Sequence, residues 1–278
     1  MVSPLKGKAV VLQSGGPTRV INRSLYGVVD EIEDYIKVPK KDSHRVEGIY
    51  GSLCGVRGLI EEELVDLSRV DMDEFERICW TPASALYTTR YELVYKEDGE
   101  IKRRDEKLKR IMDVLKEHNI RFVFAIGGGD SSETAQLIRE YAESEGKYDV
   151  VVMHVPKTVD NDLRETDHCP GYGTAATFNI NSLLGTYLDA RSMGNTVDIK
   201  VAMGRNAGWL TAAASWCRKR GYEPLIVTPE NPMDIGEFLE RVAEGYEKDD
   251  RHAYQVVVSE GARDKEGRLW AKELARKY

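Results

Sequence analysis

The sequence predicts an α/β protein with a doubly wound, mostly parallel sheet and helices on both faces. Short, nearly continuous apolar runs, typical of buried parallel strands, alternate with longer segments that have helical apolar spacing. Glycine-rich or polar residues follow most of these runs, as they do where strands end and helices begin. With 278 residues, of which 41% are hydrophobic, the chain is long enough for a full core and for two lobes.

At least six strands are expected from the apolar runs. The runs are Lys8–Gln13, Gly48–Tyr50, Ile120–Ile126, Asp149–Val155, Val197–Ala202, Pro224–Val227 and Tyr254–Val258. Helices are expected from the first strand's exit to Ile36 and over residues 101–118, 174–192 and 234–248. In the segment 101–118, apolar residues at 108, 111, 112 and 115 have the spacing of an amphipathic helix. We place a lobe boundary after residue 150.

Composition excludes several classes of partner. The formal net charge of −7 argues against nucleic acids and anionic membranes, which attract basic proteins. No apolar segment is long enough to cross a bilayer or to act as a signal peptide. The four cysteines have no zinc-site spacing, so they are expected to be free thiols in a reducing cytosol: Cys54, Cys79, Cys169 and Cys217. The sequence therefore predicts a cytoplasmic protein.

Two glycine-rich corners are candidate phosphate sites. Gly15 and Gly16 follow the first strand, where paired glycines let the backbone approach a ligand and the next helix offers free N–H groups to an anion. A second corner, Gly127–Ser132, follows the strand Ile120–Ile126 and contains three consecutive glycines. Ser131 or Ser132 is expected to cap the following helix.

Asp130 is the unusual residue of the second corner. A carboxylate beside a phosphate site repels the phosphate unless a cation lies between them, and Lys157 is the expected partner. Arg90 ends the small-residue loop Thr81–Arg90. It has a role only if it converges with these corners, and is otherwise an ordinary surface arginine.

The loop Pro156–Leu163 carries the densest polar chemistry. It follows a predicted buried strand and precedes a glycine-marked helix, at the edge of the sheet where open α/β proteins bind ligands. Within it lie Lys157, Thr158, Asp160 and Asp162. Taken alone, the composition of this loop fits a solvated acidic turn about as well as it fits a ligand-binding site.

Together these motifs resemble the phosphofructokinase family, from about Lys8 to Arg263. The motifs are Gly15-Gly16-Pro17, Gly127–Ser131, Pro156–Leu163, Met203-Gly204-Arg205 and Ser259-Glu260-Gly261. Within the family the chain resembles the pyrophosphate-dependent branch, because ATP-dependent members typically have glycine at the positions of Asp130 and Lys157. The resemblance implies a two-lobed fold, with a Rossmann-like donor-binding lobe at 1–150 and a sugar-phosphate lobe at 151–278.

The resemblance also implies an activity and residue roles. The activity is phosphoryl transfer from pyrophosphate to O1 of fructose 6-phosphate, with Mg²⁺, in an oligomer of identical chains or with a longer partner subunit. Asp160 would be the base, Lys157 would stabilise the transferring group, Thr158 would bond it, and Asp130 would block ATP. The other implied contacts are Gly15, Gly16, Arg90, Gly128 and Ser131 with the donor, Met203, Gly204, Arg205 and Glu260 with the sugar phosphate, and Asp130 or Asp162 with the metal.

Three departures from the resemblance keep other functions open. The family has Asp or Asn in place of Gly129, an arginine in place of Thr196, and further basic residues beyond the position of Tyr278. With Arg205 as the main counter-charge, we expect weak, roughly millimolar binding of fructose 6-phosphate. The alternatives are an ATP-dependent phosphofructokinase, a kinase for another sugar phosphate, a non-catalytic partner or regulatory subunit, and a nucleotide-binding module without transfer chemistry.

Overall fold

The computed structural model describes residues 4–38 and 44–270, and the chain divides into two compact units. The first unit is Met1–Lys157 and the second is Thr158–Tyr278. The division falls after Lys157 rather than after residue 150, because the strand Val151–Pro156 pairs with Ile120–Gly127 in the sheet of the first unit.

The first unit contains seven strands and five α-helices among its described residues. The strands are β1 (Lys6–Gln13), β2 (Arg45–Ser52), β3 (Leu64–Asp66), β4 (Val94–Glu97), β5 (Glu100–Arg103), β6 (Ile120–Gly127) and β7 (Val151–Pro156). The helices are α1 (Ile21–Lys37), α2 (Val56–Glu61), α3 (Met72–Ile78), α4 (Asp105–Glu117) and α5 (Gly129–Tyr141). The strand order of the main sheet is β3-β2-β1-β6-β7, and only β3 is antiparallel to its neighbour.

Both faces of this sheet are covered by helices. Along β1, Val10 and Leu12 pack with residues of α2, α4 and α5, whereas Ala9 and Val11 pack with residues of α1 and α3. The strand is apolar on both faces because each face meets a helical layer, as expected for a parallel sheet. The prediction of a doubly wound α/β fold is confirmed.

The second unit contains three strands and three α-helices among its described residues. They are α6 (Tyr172–Met193), β8 (Thr196–Ala202), α7 (Trp209–Ala212), β9 (Leu225–Val227), α8 (Ile235–Lys248) and β10 (Ala253–Ser259). The strands form a parallel sheet in the order β8-β10-β9. Two apolar clusters form on this sheet, one with α6 and one with α8. None of the helices in the described parts of the chain is long and apolar enough to span a membrane.

The single helix predicted over residues 101–118 is wrong at its start. Residues 100–103 form β5, which pairs with β4 in an antiparallel hairpin, and α4 begins only at Asp105. The hairpin turn is Asp98-Gly99, and both residues have positive φ, 54° and 84°. An Asp-Gly pair with two positive φ values suits the tight turn that matches strand twist. The local turn therefore keeps the charged segment before Asp105 extended.

Candidate active site

The Gly15-Gly16 turn is held by the loop that ends at Arg90. Gly15 has φ 77°, its N–H donates to Thr89 O (3.1 Å), and Thr88 Oγ1 donates to its carbonyl (2.6 Å). A Cβ added to Gly16 would lie 3.8 Å from Arg90 Nη2. Arg90 therefore converges on the first glycine corner, which places a guanidinium beside backbone that a ligand can approach closely.

Lys157 connects the two glycine corners of the first unit. Its backbone N–H donates to Gly127 O (2.9 Å) and its Nζ donates to Gly16 O (2.8 Å). The residue is only 3% exposed, and a Cβ on Gly15 would lie 3.6 Å from Nζ. A buried ammonium group is costly unless negative charge or carbonyl oxygens compensate it. Its position between two glycine turns suits the binding of a phosphate group.

The second glycine corner lies where β6 ends and α5 begins. A Cβ on Gly127 would lie 1.9 Å from Ser131 Oγ, so this position admits glycine alone. Gly128 is the N-cap of α5 without a side-chain cap, and Ser131 is a buried residue within the helix. The expected serine cap is therefore wrong, because the helix starts before either serine. Asp130 is exposed in the first turn of α5, where the helix dipole stabilises a carboxylate.

His154 is part of this corner, although the sequence patterns did not single it out. Its Nε2 lies 2.8 Å from Gly127 O. Because a carbonyl can only accept, Nε2 carries the proton in this contact. Burial lowers the pKa of His154 below its ordinary value, and the nearby Lys157 lowers it further, which outweighs the backbone hydrogen bonds at Gly127 and Gly128 that raise it. His154 is therefore a neutral imidazole supporting the turn.

A pH dependence of stability follows from this neutral histidine. In the unfolded chain His154 takes up a proton below about pH 6.5, whereas the folded protein resists protonation until its lowered pKa is reached. Stability contributed by the neutral form is therefore present above about pH 6.5 and lost as the pH falls below it. We expect His154→Gln to reduce the fall in urea midpoint between pH 7.5 and pH 5.5.

The same change at the exposed His168 is the matched control for this prediction. It should leave the pH dependence closer to that of the wild type. An equal fall in midpoint for wild type and His154→Gln would show that His154 does not titrate differently in the folded protein.

In the second unit, Thr158 fixes the two aspartates of the central loop. Its hydroxyl accepts a hydrogen bond from Asp160 N (3.2 Å) and donates one to Asp162 Oδ1 (3.5 Å). Its own N–H donates to Pro170 O (3.1 Å). Asp160 is half-buried and Asp162 is exposed. Thr158 therefore fixes the backbone at Asp160 and the carboxylate of Asp162 within the loop.

Asn161 shapes this loop from within, and sequence reasoning gave it no role. It is 7% exposed and has φ 55°, in the left-handed region that asparagine tolerates better than most residues. Its Oδ1 accepts from Cys169 N (2.7 Å) and its Nδ2 donates to Asp167 O (3.3 Å). Because Asn161 is anchored inward, the neighbouring Asp160 and Asp162 occupy the outer positions of the turn.

The sugar-phosphate residues predicted near residue 204 come together with those near residue 260. Glu260 Oε1 accepts from Gly204 N (3.2 Å), and Ser259 Oγ donates to Gly204 O. A Cβ on Gly261 would lie 1.9 Å from Arg205 O, so the two turns pack backbone against backbone. Arg205 and Met203 are exposed at this corner, beyond the end of β8.

Thr196 lies at the other end of β8. Six residue steps separate it from Ala202, which corresponds to roughly 20 Å at the usual rise of a strand. Its hydroxyl donates to Gly194 O (2.8 Å). An arginine at position 196 would be too far from the corner that contains Arg205 to bind a ligand there. The threonine at this position therefore does not change that corner of the same chain.

Glu230 is a further polar residue of the second unit, and the sequence patterns did not identify it. Its Oε1 accepts from Gly208 N (2.8 Å). Burial raises the pKa of Glu230, but hydrogen bonds from the N–H groups of Gly208 and of Glu230 itself, and from Thr228, outweigh burial and hold the pKa below its ordinary value. Its position directly after Thr228-Pro229, at the exit of β9, could have drawn attention to it.

The first unit has two glycine corners and a buried lysine. The second unit has two neighbouring aspartates in a hydrogen-bonded loop and an exposed arginine beside a glycine turn. These features are typical of α/β proteins that bind phosphate compounds. The family model for phosphofructokinase matches residues 8–278. The chain belongs to the phosphofructokinase family.

Known relatives refine this placement. The chain is 39% identical over 272 residues to the pyrophosphate–fructose 6-phosphate 1-phosphotransferase of Rhodospirillum rubrum, covering 97% of this chain and 62% of the relative. The crystal structure of a pyrophosphate-dependent phosphofructokinase from Marinobacter aquaeolei matches with a TM-score of 0.79 at 33% identity, covering 97% of this chain and 64% of that one. An ATP-dependent 6-phosphofructokinase of Streptococcus thermophilus is more distant, at 28% identity over 91% of this chain and 66% of the relative. The chain thus spans a little under two thirds of the length of its pyrophosphate-dependent relatives.

Proposed function

We propose that the protein transfers a phosphoryl group from pyrophosphate to O1 of fructose 6-phosphate. The observation that carries the proposal is the position of Lys157, a buried cation. Its Nζ donates a hydrogen bond to Gly16 O, and its backbone N–H donates one to Gly127 O. Such an ammonium group, with Arg90 beside the same turn, provides fixed positive charge for a small, highly anionic donor. The pyrophosphate-dependent relatives support this choice of donor.

In the first unit, we assign pyrophosphate binding to the backbone and cations of the glycine corners. Gly15, Gly16 and Gly128 allow close approach to the phosphates, Ser131 supports the second turn from inside α5, and Arg90 and Lys157 supply charge. We assign Asp130, exposed at the start of α5, to exclude ATP by occupying the space of its α-phosphate and by repelling that phosphate's charge. These features favour pyrophosphate over ATP.

In the second unit, we assign Asp160 as the base that accepts the O1 proton of the sugar. O1 then forms a bond to the terminal phosphorus of pyrophosphate, and the bond from that phosphorus to the bridging oxygen breaks, releasing orthophosphate. Thr158 keeps Asp160 in place through the Asp160 N–H, and binds the substrate or the transferring group. Met203, Gly204, Arg205 and Glu260 are assigned to the sugar phosphate.

Mg²⁺ is the metal that we propose for this reaction. Magnesium commonly binds through one or two carboxylates and the oxygens of substrate phosphates, and the exposed carboxylate of Asp162, bonded to Thr158 Oγ1, is a hard oxygen donor of that kind. Across residues 4–38 and 44–270, no group of three or more His, Cys, Asp or Glu side chains lies close enough together to hold a metal ion. When bound, Mg²⁺ neutralises charge on the phosphates.

The proposal is tested with the purified 278-residue chain, fructose 6-phosphate and Mg²⁺, comparing pyrophosphate with ATP as donor. We expect formation of the bisphosphate product with pyrophosphate and much less with ATP. A clear preference for ATP would instead support an ATP-dependent kinase. Binding of both substrates without turnover would support the second candidate, a non-catalytic subunit, which is favoured by Gly129 and Thr196.

Calorimetry with fructose 6-phosphate alone measures the affinity of the sugar-phosphate pocket independently of catalysis. Arg205 is exposed at its corner, so we expect roughly millimolar affinity for the isolated chain. A second copy or a longer partner subunit that supplies further cations is proposed to tighten it. Micromolar binding by this chain alone would show that its own residues complete the pocket.

A further inference from the structure

The loop Met203–Gly208, which carries the residues assigned to the sugar phosphate, is held at both ends by a carboxylate. At its start, Glu260 Oε1 accepts from Gly204 N (3.2 Å). At its end, Glu230 Oε1 accepts from Gly208 N (2.8 Å). The loop follows β8, Glu260 follows β10 and Glu230 lies beyond the end of β9, so the exits of these strands meet here. Glu260 is assigned to the sugar phosphate, whereas Glu230 has no role in the proposed function.

Gly208 packs closely against the residues that follow β9. A Cβ added to Gly208 would lie 2.5 Å from Thr228 Cβ and 2.7 Å from Glu230 Oε2, so this position has no room for a side chain. Thr228 is buried, and its side chain also hydrogen-bonds Glu230. The end of the loop is therefore fixed against the exit of β9 by close packing and by a hydrogen bond.

Glu230 makes these contacts as a carboxylate. Burial alone would raise the pKa of Glu230, yet hydrogen bonds from two backbone N–H groups and from Thr228 hold the pKa below its ordinary value. A backbone N–H that donates to a charged carboxylate forms a stronger hydrogen bond than one that donates to a neutral oxygen. The contact with Gly208 is thus one of the strong hydrogen bonds of this loop.

Arg205 lies between the two held ends of the loop. It is exposed, and within residues 4–38 and 44–270 it forms no ion pair. A carboxylate that paired with this guanidinium would compete with a bound phosphate. Because Glu230 and Glu260 accept from backbone N–H groups instead, they hold the loop without neutralising Arg205.

We propose that Glu230 is a positioning residue for the sugar-phosphate site, which acts through Gly208 to hold the backbone that carries Arg205. A ligand that binds a loop already held in place loses less conformational entropy than one that must order the loop. This inference rests on the proposed function, because that function assigns the loop to fructose 6-phosphate. The hold of Glu230 on Gly208 is nevertheless measurable without turnover.

The first experiment measures hydrogen–deuterium exchange by mass spectrometry in peptides that span Met203–Gly208. Glu230→Ala should speed exchange there by roughly tenfold, because Gly208 N–H loses a charged acceptor. Glu230→Gln keeps a side-chain oxygen in nearly the same place and should stay closer to the wild type. Glu240→Ala, exposed on α8, is the matched control and should exchange like the wild type. Unchanged exchange in Glu230→Ala would overturn the proposal.

Thr228→Val is a milder variant for the case in which Glu230→Ala speeds exchange throughout the second unit and so has lost its fold. It removes the hydroxyl that hydrogen-bonds Glu230 and keeps the shape of the side chain. Exchange in the loop should rise by a smaller factor, with the rest of the unit unchanged. Wild-type exchange in this variant would then overturn the proposal.

The second experiment measures fructose 6-phosphate binding by ³¹P NMR titration, which detects weak binding without turnover. Glu230→Ala should weaken the affinity by roughly tenfold, because small displacements of binding groups have large effects. In assays with pyrophosphate, KM for fructose 6-phosphate should rise by the same factor while kcat stays within about threefold, the pattern of lost substrate binding. Glu230→Gln should recover most of the affinity.

The possible results separate this inference from the proposed function. Faster exchange with unchanged affinity would make Glu230 a purely structural residue and overturn the inference. A fall in kcat as large as the rise in KM would also contradict a positioning role. A wild type that binds fructose 6-phosphate without turnover would contradict the proposed function alone, whereas one that does not bind it would contradict both.

Discussion

Asp160→Asn is expected to lower kcat by roughly a hundredfold or more, the scale of a general base's contribution. Asparagine occupies nearly the same volume but cannot accept the O1 proton as a carboxylate does. The hydrogen bond that fixes the residue comes from its backbone N–H to Thr158 Oγ1, so the loop should keep its conformation. Steady-state assays with pyrophosphate and fructose 6-phosphate measure the effect, and calorimetry should show little change in pyrophosphate binding.

Asp167→Asn is the matched control for this experiment. Asp167 is exposed four residues after Leu163, where this loop ends, and its contact with Asn161 uses the backbone carbonyl rather than the carboxylate. Its kcat should stay within about twofold of the wild type, because surface substitutions away from special contacts usually have small effects. Near-normal turnover in Asp160→Asn would remove this residue from the mechanism.

Lys157→Met is expected to lower pyrophosphate-dependent kcat/KM by roughly a hundredfold to a thousandfold, the range seen when one fixed electrostatic contact to a reacting group is removed. Methionine retains much of the buried stem, so the loss should come mainly from the ammonium group on Gly16. The double change Asp130→Gly with Lys157→Gly should weaken pyrophosphate use most, and should improve ATP relative to pyrophosphate.

Lys8→Met provides the matched lysine control in the same unit. Lys8 is half-buried and its Nζ donates to Tyr50 Oη (2.8 Å), in a contact separate from the glycine corners. This variant should retain pyrophosphate-dependent activity. A Lys157→Met protein with unchanged kcat/KM for pyrophosphate would contradict the assignment of the buried ammonium group to the donor.

The sequence predicted the fold class and the positions of the polar corners, because both depend on local order along the chain. Apolar runs such as Ile120–Ile126 became buried strands, and their exits carry Gly128, Asp130 and Asp160 as expected. The Asp98-Gly99 turn was also encoded locally, but helical spacing in the following residues obscured it. Local patterns thus predicted where the polar site residues lie along the chain. They failed at residues 100–103, where a hairpin turn directly precedes a segment with helical spacing.

Only the tertiary structure decided which of these residues meet. Lys157 Nζ and Gly16 O are 141 positions apart, and Gly204 N and Glu260 Oε1 are 56 apart. Such contacts depend on strand order and on the packing of one turn against another, which no spacing in a single sequence specifies. For the same reason His154 looked like an ordinary strand residue. Its chemistry arises because β7 pairs with β6, which places the imidazole Nε2 within hydrogen-bond distance of Gly127 O and partly buries the ring.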